Sequence, residues 1–370
     1  MKRLAQIAAL VVAALFSSCS NKEIVRDTEP IYTPRYAKGF TIERDKASGE
    51  LLLCIKNPWQ GANNISYYAV INTDAPIERI VAMSSSHTAM LEAVGCGERI
   101  VGISGCRFIS SPAFTKAIAE GKIAEVGYDS AFDFECIKSL RTDMVLLYGV
   151  AGEAKALTKK FDELSIPYIY IGDYLEEDPL GKAEWVVALA YLCGVEEQGK
   201  AFFEGVAERY NALRNQKHCS AYRPRVMLNL PYRDTWFMPP QGSYMVRLIE
   251  DAGGEYILLR RETKNERREN TSKPISLEEA LVLALRADFW LNLGQIASLE
   301  ELCATAPRFA EVDAVRFGRI YNNTKRTNES RGSDFWESGA VRPDLILNDL
   351  VQILHYEALS DKLYYYTKLQ

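Results

Sequence analysis

The stretch RIVAMSSSHTAMLEAVGCGERIVGIS, residues 79–104, decides the fold class of this chain. It opens with a short β-branched run at Ile80–Met83 and closes with another at Ile100–Ile103. Between them, apolar residues recur at helical spacing over Thr88–Val94, and Gly95 ends that segment. Two buried strands joined by a helix form a βαβ unit, which needs a parallel sheet. The stretch therefore predicts an α/β protein.

The same alternation continues along the chain and is interrupted once by a purely helical segment. From Leu180 to Asn215 there is no strand signal, and the apolar spacing predicts two consecutive helices with a break at Gly194. We therefore predict two α/β lobes, residues 76–176 and 219–370, joined by a helical segment at 177–218. The strands predicted on either side of that segment are Met144–Leu147, Tyr168–Ile171, Val226–Leu230, Tyr256–Leu258, Phe289–Leu293 and Ile320–Asn322. The helices predicted after the first unit are Phe134–Leu140, Glu153–Leu164, Met245–Ala252, Leu277–Leu285 and Pro343–Leu354.

The N-terminus has the layout of an export signal. Two basic residues precede an uncharged stretch from Leu4 to Phe16, and small residues then lead to Cys19. The order resembles a bacterial lipobox, in which the cysteine is lipidated and becomes the first residue of the mature protein. We therefore predict a lipoprotein signal peptide at 1–18, lipidation at Cys19 and a polar tether at 19–34. An ordinary cleaved signal with an incidental Cys19 is the alternative.

A β-rich extension is predicted between the tether and the first lobe, over residues 35–75. Its strand candidates are Phe40–Glu43, Leu51–Ile55 and Tyr67–Ile71, and the first two flank a turn-like segment. We expect this extension to pack on the first lobe.

Charge and cysteine content narrow the function. The 370 residues carry 44 Lys plus Arg and 49 Asp plus Glu, and removing residues 1–18 removes two basic residues only. The resulting net charge of -7 gives no basic face for nucleic acid. Seven of the eight cysteines remain besides Cys19, so outside the cytoplasm they cannot all pair within the chain. Cys96 and Cys106 are the first pair to test as a disulfide.

Enzyme motifs are missing from the sequence. There is no G-x-S-x-G elbow, no Walker A loop and no H-E-x-x-H zinc helix. We therefore expect a protein that is not an enzyme.

Three segments together resemble a known family. They are residues 79–104, FDFECIKSLRTDMVLLYG at 132–149 and SDFWESGAVRPDLILNDLVQILH at 333–355. In order and spacing they are similar to the substrate-binding lipoproteins of bacterial ABC importers for iron-siderophores, haem and cobalamin. The resemblance runs from about residue 79 to 361. It implies two α/β lobes bridged by a long rigid helix, with the ligand held in the cleft between them.

The resemblance also implies the cargo and the partners. We expect an iron chelate of the siderophore type as ligand, with haem or cobalamin as alternatives, and no cofactor of the protein's own. The partners implied are an ABC permease with its ATPase. The protein itself is expected to be a monomer on the periplasmic side of the cell envelope, held to the membrane by its lipid anchor alone.

Docking onto the permease is implied to use one surface glutamate on each lobe. The family pattern E-x-I-x-x-L-x-P-D-L-V matches the chain from Glu135 to Val145, with Thr142 in place of proline. In the second lobe Glu278 is the better match, and Glu279 remains open. Acidic residues also suit the first turn of any helix, because they complement its dipole.

The ligand site is expected in the loops at the carboxyl ends of the parallel strands. Those loops carry aromatic faces and charged donors suited to a planar or anionic chelate. The candidates are His87, Arg107, Tyr128, Tyr148, Arg233, Trp236, Arg326 and Trp336. Trp236 is alternatively a loop staple, and His87 alternatively part of a helix-capping segment.

Direct binding of a free metal ion is a weaker hypothesis. The chain has three histidines, and two of them, His218 and His355, are expected at helix ends away from the cleft. We therefore predict no direct metal ligand. For haem, His87 or a cleft tyrosine is the candidate axial ligand.

Overall fold

The structure is a computed structural model of the chain. It describes residues 26–62, 65–128, 131–149, 154–216, 222–258, 260, 263, 271–357 and 359–370, with the backbone alone for 154–156. The predicted signal peptide and the predicted lipidation site Cys19 lie outside the described residues. Among the described residues, no helix combines the length and apolar character needed to cross a membrane.

The chain begins with a four-stranded antiparallel sheet, and this contains the three strands predicted for the extension. Its strands, in spatial order, are β1 (Thr28–Tyr32), β2 (Phe40–Asp45), β3 (Leu51–Lys56) and β4 (Ser66–Ile71). The expectation of a tether was wrong for residues 28–32, because they pair with β2, with Thr28 opposite Asp45. The sequence hid this strand because it lies at the edge of the sheet, where exposed polar residues leave no apolar alternation.

The first lobe contains a five-stranded parallel sheet in the order β11-β10-β5-β6-β7. The expected strands at 80–83, 100–103, 144–147 and 168–171 all occur in it. The elements of the first lobe are β5 (Ile80–Ala82), α1 (Ser85–Ala93), β6 (Ile100–Ile103), α2 (Pro112–Ala119), β7 (Ala124–Glu125), β8 (Gly127–Tyr128), β9 (Ala131–Phe132), α3 (Phe134–Ser139), β10 (Met144–Leu147), α4 (Ala154–Leu164) and β11 (Tyr168–Tyr170).

Two helices connect the lobes, and they break where the sequence predicted. Helix α5 spans Pro179–Leu192 and helix α6 spans Glu196–Arg214, and Gly194 between them has a φ of +67° that glycine adopts without strain. Asp178 caps α5 by accepting a hydrogen bond from the Leu180 amide at 2.8 Å. Nearly every residue of α5 is buried, so α5 forms the centre of the protein and not an exposed strut.

The second lobe repeats the design with a sheet in the order β14-β12-β16-β17-β18, in which only β18 runs antiparallel to its neighbour. Strand β13 pairs antiparallel with β15 in a separate two-stranded sheet. The elements are β12 (Arg225–Leu228), β13 (Thr235–Met238), α7 (Tyr244–Asp251), β14 (Glu255–Tyr256), β15 (Lys273–Ser276), α8 (Leu277–Ala284), β16 (Phe289–Leu291), α9 (Leu299–Thr305), α10 (Asp313–Arg316), β17 (Ile320–Asn322), α11 (Pro343–Tyr356) and β18 (Thr367–Lys368).

A buried glutamate on the connecting helix holds the N-terminal extension in place. Glu184 of α5 is fully buried and accepts hydrogen bonds from the Tyr32 hydroxyl at 2.7 Å and from the Ala37 amide at 2.9 Å. The amides of Arg35 and Tyr36 donate to the same carboxylate, at 2.9 and 2.8 Å. These donors satisfy a charge that would otherwise be costly to bury. The extension therefore packs on the connecting helix.

The extension also touches the first lobe, as expected from the sequence. The rings of Trp59 and Tyr67 pack edge-on against Tyr170 of β11, at centroid distances of 5.4 and 5.6 Å. The expectation of packing on the first lobe was thus incomplete. It missed α5, because the apolar pattern of a helix does not show which neighbour covers each face.

The two lobes share one further detail. Asp143, just before β10, accepts hydrogen bonds from the Glu78 and Arg79 amides at 2.9 Å, at the start of β5. Asp288, just before β16, accepts one from the Arg225 amide at 2.7 Å, at the start of β12. Each aspartate thus aligns the beginnings of two neighbouring parallel strands.

Candidate ligand-binding cleft

A cavity of about 330 Å³ lies between the two lobes. The first lobe contributes Ser84, Ser85, Ser86 and Tyr148, and the segment leading into α5 contributes Asp173 and Tyr174. Lys182 comes from α5 itself, and the second lobe contributes Tyr244, Phe335, Trp336 and Ala340. A volume of this size is at the lower end of the range for small-molecule sites.

The first-lobe wall stands at the carboxyl ends of two neighbouring strands. Ser84 follows β5 and Tyr148 follows β10, and these strands pair in the middle of the sheet. After β5 the chain continues to β6 on one side, and after β10 it continues to β11 on the other side. In open parallel sheets, ligands bind at such a point, beyond the carboxyl ends of the strands. The Ser84 hydroxyl caps α1 by accepting a hydrogen bond from the Ser86 amide at 3.3 Å.

The floor of the cavity holds a buried ion pair. The Lys182 ammonium lies 2.9 Å from the Asp173 carboxylate, and their side chains are 15% and 2% exposed. Burial by itself would raise the pKa of Asp173, but Lys182, helped by the nearby His87, holds that pKa well below its usual range. Asp173 therefore stays ionised, and its charge balances that of Lys182.

His87 lies behind this pair. It is fully buried, and its Nε2 atom is 3.7 Å from an oxygen of Asp173, longer than a hydrogen bond. Neither ring nitrogen has a hydrogen-bond partner in the structure.

Aromatic rings form most of the remaining wall. The Tyr174 hydroxyl donates to the Gly149 carbonyl, and burial raises the pKa of Tyr174 to about 12. The Tyr244 ring lies 5.9 Å from the Lys182 ammonium, within the range of a cation–π contact. Trp336 remains half exposed at 53%. The cavity thus offers apolar faces around one ion pair.

The lobes also touch directly on one side of the cavity. Glu337 of the second lobe is buried and accepts hydrogen bonds from the amides of Ser110 and Ser111 in the first lobe, at 2.6 and 3.1 Å. Burial raises the pKa of Glu337 to about 7, against the opposing effect of these two hydrogen bonds. We call the contact of Glu337 with Ser110 and Ser111 the interlobe latch.

Two further contacts lie beside the latch. The Asn328 side-chain amide donates to the carbonyls of Arg107 and Ile109, at 3.0 and 2.9 Å. Gly332 packs so closely on Phe108 that a Cβ atom at this position would lie 1.8 Å from the Phe108 carbonyl oxygen. Only glycine fits there, so the second-lobe loop approaches the first lobe backbone to backbone.

Two of the eight predicted ligand residues, Tyr148 and Trp336, line the cavity. The prediction for Trp236 was wrong. Its side chain is fully buried, its indole nitrogen donates to the Leu228 carbonyl at 2.9 Å, and its ring packs 5.3 Å from Phe309. The residue lies on β13, which pairs with β15, so its side chain packs in the core of the lobe and not in an open loop.

Two more predictions need correction. His87 is sealed behind the ion pair and does not line the cavity, so its ring is not placed to contact a ligand there. It belongs to the first turn of α1, as the capping alternative implied. The Arg326 guanidinium is taken up by an ion pair with Asp334 and by the Tyr364 ring at 4.6 Å.

The remaining three candidates are exposed outside the enclosed cavity. Arg107 lies over the rings of Phe108 and Tyr128, at 4.6 and 5.8 Å, so two predicted residues share one cluster. Arg233 lies over the Tyr232 ring at 5.3 Å and has a positive φ of 55°. Their contact with a ligand stays a prediction.

Sequence reasoning missed the charged floor and one of the walls. Asp173 and Tyr174 follow β11, so the rule about strand ends, applied to that strand as well, would have found them. Lys182 gave no signal, because a lysine in the first turns of a helix is ordinary. Tyr244 lay inside a candidate loop, but nothing marked it there.

The expected docking glutamates are both exposed, in the first turns of α3 and α8. Glu278 forms a surface ion pair with Arg308 at 3.0 Å. Glu279 instead folds back onto Ser276 in a capping box, with its carboxylate accepting from the Ser276 amide at 2.9 Å. This occupied carboxylate makes Glu278 the better candidate of the two.

No group of three or more His, Cys, Asp or Glu side chains in the described part of the chain is arranged to hold a metal ion. The cavity's one histidine neighbour, His87, is buried and its one carboxylate, Asp173, is paired with Lys182.

The sequence pattern of the periplasmic binding protein family matches residues 80–327, two thirds of the chain. This protein belongs to that family. Its members are substrate-binding proteins of ABC importers and not enzymes. The match starts at β5 and runs past β17, so it covers the first-lobe sheet, the connecting helices and four of the five strands of the second-lobe sheet. The N-terminal extension lies outside it.

Relatives of this periplasmic binding protein occur among archaeal proteins. An uncharacterised lipoprotein of Methanocaldococcus jannaschii is 28% identical over 306 residues, covering 80% of this chain and 69% of the relative. A second uncharacterised protein of the same organism is 24% identical over 269 residues, covering 68% and 73%.

Solved structures confirm the fold class. The haem-binding protein RhuT of Roseiflexus sp. RS-1 has a TM-score of 0.56 at 20% identity, covering 76% of this chain and 98% of that protein. The vitamin B12 binding protein BtuF of Vibrio cholerae scores 0.51 at 18% identity, covering 75% and 97%. A possible iron-binding protein of Staphylococcus epidermidis scores 0.58 at 16% identity, covering 76% and 100%. The predicted fold of two α/β lobes joined by helices, with an N-terminal β-rich extension, is therefore confirmed.

Proposed function

We propose that this protein is the extracytoplasmic receptor of an ABC importer, and that it binds an iron chelate of the siderophore type between its lobes. The observation that carries the proposal is the cavity, in which aromatic walls surround the Lys182 ammonium and its partner, the Asp173 carboxylate. Aromatic faces suit the planar groups of a chelate, and an ammonium suits its carboxylate or catecholate oxygens. The chelate supplies all ligands of its metal, in keeping with the lack of a protein metal cluster in the described residues.

The proposal also covers delivery of the ligand to the membrane permease. The receptor is a monomer, anchored by a lipid on Cys19, that brings its cargo to the permease and its ATPase. Glu135 and Glu278, one on each lobe, dock onto basic residues of the permease. The exposure of both carboxylates at the starts of short helices supports this role.

The ligand class is tested by titration of the purified protein with ferric catecholate, ferric hydroxamate, haemin and cobalamin. Binding is followed by calorimetry and by tryptophan fluorescence, since Trp336 lines the cavity. We expect a ferric chelate to bind and to quench the fluorescence. Trp336→Phe keeps an aromatic face, so it should retain binding while losing most of the quench.

Two results would change the conclusion. Binding of haemin or cobalamin alone would move the protein to the alternative cargo, with a cleft tyrosine such as Tyr148 as the candidate haem ligand. If none of the four ligands gives a binding heat or quenches the tryptophan fluorescence, the proposed ligand class is overturned.

A further inference from the structure

The thiols of Cys96 and Cys193 lie against each other where the first lobe meets the connecting helices. Cys96 follows the end of α1, and Cys193 is the residue that ends α5. A hydrogen-bonding interaction between the two thiols shifts the pKa of each. Both side chains are buried, with 2% and 1% exposed. Two residues far apart in sequence are thus brought into contact by the packing of α1 on α5.

Arg99 fixes the backbone on both sides of this contact. Its amide donates to the Cys96 carbonyl at 3.1 Å, and its guanidinium donates to the Cys193 carbonyl at 2.8 Å. The same guanidinium nitrogen also donates to the Ile77 carbonyl at 3.1 Å. A disulfide needs its two Cα atoms within about 7 Å. Arg99, three residues after Cys96, holds the Cys193 carbonyl with its side chain, so the two backbone segments lie side by side.

The local charge favours reaction at Cys96. The hydrogen bond from Cys193, together with the Arg99 guanidinium, lowers the pKa of the Cys96 thiol to about 7. The hydrogen bond and burial raise the pKa of Cys193. The thiolate is the nucleophile in disulfide exchange. Cys96 is therefore the attacking sulfur, and Cys193 the resolving one.

We propose that Cys96 and Cys193 form a disulfide that ties the first lobe to the connecting helices outside the cytoplasm. The oxidant is a disulfide-bonded thiol compound of that compartment. The Cys96 thiolate attacks the oxidant, which forms a mixed disulfide and releases one oxidant thiol. Cys193 then loses its proton and attacks the Cys96 sulfur, which releases the second oxidant thiol. Two electrons and two protons pass to the oxidant, and one sulfur–sulfur bond forms in the protein.

The pairing of Cys96 with Cys106 that the sequence suggested does not fit the structure. Strand β6 lies between the two residues, and its four residues alone extend roughly 10 Å. The Cys106 thiol instead contacts the carbonyls of Ile103 and Ala124, at 3.6 and 3.8 Å. Burial raises the pKa of Cys106 to about 12, with a smaller contribution from Glu125, so this thiol is unreactive.

The test uses the full chain, reduced and unfolded and then refolded in a mixture of reduced and oxidised glutathione. Free thiols are alkylated under denaturing conditions without reductant, and the peptides are mapped by mass spectrometry. We expect a cross-linked pair that contains Cys96 and Cys193 and is lighter than the two separate thiol peptides by two hydrogen atoms. Recovery of both cysteines as separately alkylated peptides would overturn the proposal, as would a cross-link from either one to another cysteine.

A matched pair of variants separates the disulfide from general effects of cysteine loss. Cys106→Ser removes a buried thiol of the same lobe and should leave the cross-link intact. In the native sequence, reductant should lower the denaturant midpoint of unfolding, because it opens the loop between the two cysteines. In the Cys96→Ser, Cys193→Ser double variant the same reductant should leave the midpoint unchanged. An equal shift with and without the two cysteines would contradict the assignment.

Discussion

The Glu337 carboxylate of the second lobe accepts a hydrogen bond from the Ser110 amide of the first lobe at 2.6 Å. The carboxylate is 1% exposed, and Glu337 directly follows Trp336 of the cavity wall. In this structure the lobes are therefore joined at the cleft by contacts of the protein itself, in addition to the connecting helices.

The interlobe latch should make stability depend on pH. The pKa of Glu337 is raised from 4.5 to about 7 in the folded protein. As pH falls below about 7, the folded-state carboxyl takes up a proton while the unfolded-state carboxyl remains ionised until about 4.5. Glu337 should therefore raise the free energy of unfolding by about 2 kcal/mol between pH 7 and 5.5, and contribute no pH dependence above pH 7 or below 4.5.

Urea unfolding of the native protein and of Glu337→Gln at several pH values checks this expectation. The variant keeps an acceptor oxygen but has no charge, so its unfolding free energy should lack this part of the pH dependence. Glu329→Gln, an exposed change in the neighbouring loop, serves as the control and should behave like the native protein. The same pH slope in the native protein and in Glu337→Gln would rule out the assignment.

The ion pair at the cavity floor should contribute more to the free energy of unfolding than an exposed surface pair does. Lys182→Met leaves the Asp173 carboxylate buried without its partner, so we expect a loss of about 3–5 kcal/mol in the free energy of unfolding. Lys122→Met, which removes an exposed pair with Glu120 at 2.7 Å, should cost less than about 1 kcal/mol. Chemical denaturation of both variants at neutral pH measures the difference.

The pH response of the Lys182 variant provides a second check. In the native protein the pKa of Asp173 is depressed, so the stability that this group contributes is lost as pH falls toward strongly acidic values. Without Lys182, burial should raise that pKa instead, and the variant should gain stability as pH falls from neutral. A Lys182→Met protein as stable as the native one would show that the pair is solvated and not buried.

The two tryptophans first predicted to bind ligand should now behave differently. Trp336→Ala removes a half-exposed face of the cavity, so ligand affinity should fall about tenfold, or about 1.4 kcal/mol, with little change in stability. Trp236→Ala empties a fully buried site and should cost about 3–5 kcal/mol of stability. Calorimetric titration and urea unfolding of both variants distinguish the two roles. A loss of affinity in Trp236→Ala without a loss of stability would restore the original prediction.

Charge reversal should separate docking from ligand binding. In a Glu135→Lys, Glu278→Lys double variant we expect uptake of the labelled ligand to fall by more than about tenfold, because like charges would face the permease. Ligand affinity should stay unchanged, since neither glutamate lines the cavity. Glu29→Lys, on the exposed edge of the N-terminal sheet, is the control for charge alone. Weaker ligand binding by the double variant would refute the docking role.

The fold was largely predictable because its signals are local. The strand β5 and the helix α1 are neighbours in sequence, and their apolar periods differ enough to identify each one. The predictions that were wrong concern residues whose partners are distant in sequence. Strand β13 looked like an open loop because its hydrogen-bonding partner β15 lies more than thirty residues later. Trp236 was misplaced for the same reason.

The residues of the ligand cavity were likewise predictable only where their signals are local. Tyr148 and Ser84 could be expected at the cleft because they directly follow parallel strands, and strand ends meet at one edge of a sheet. Lys182 could not be expected there, because it reaches the cleft only through the packing of α5 between the two lobes. The repeated aspartates also show the limit of a pattern. Asp143 and Asp288 each directly precede a predicted strand, but only the structure showed that each binds the start of a neighbouring strand.

By itself the sequence determined the alternation of strands and helices, the break at Gly194 and the resemblance to importer receptors, because these depend on residues close together in the chain. The tertiary structure decided which side chains meet. It paired Lys182 with Asp173, Glu337 with Ser110 and Cys96 with Cys193. Burial and charge at a site depend on such contacts, and a contact between distant residues leaves no period or spacing in the sequence.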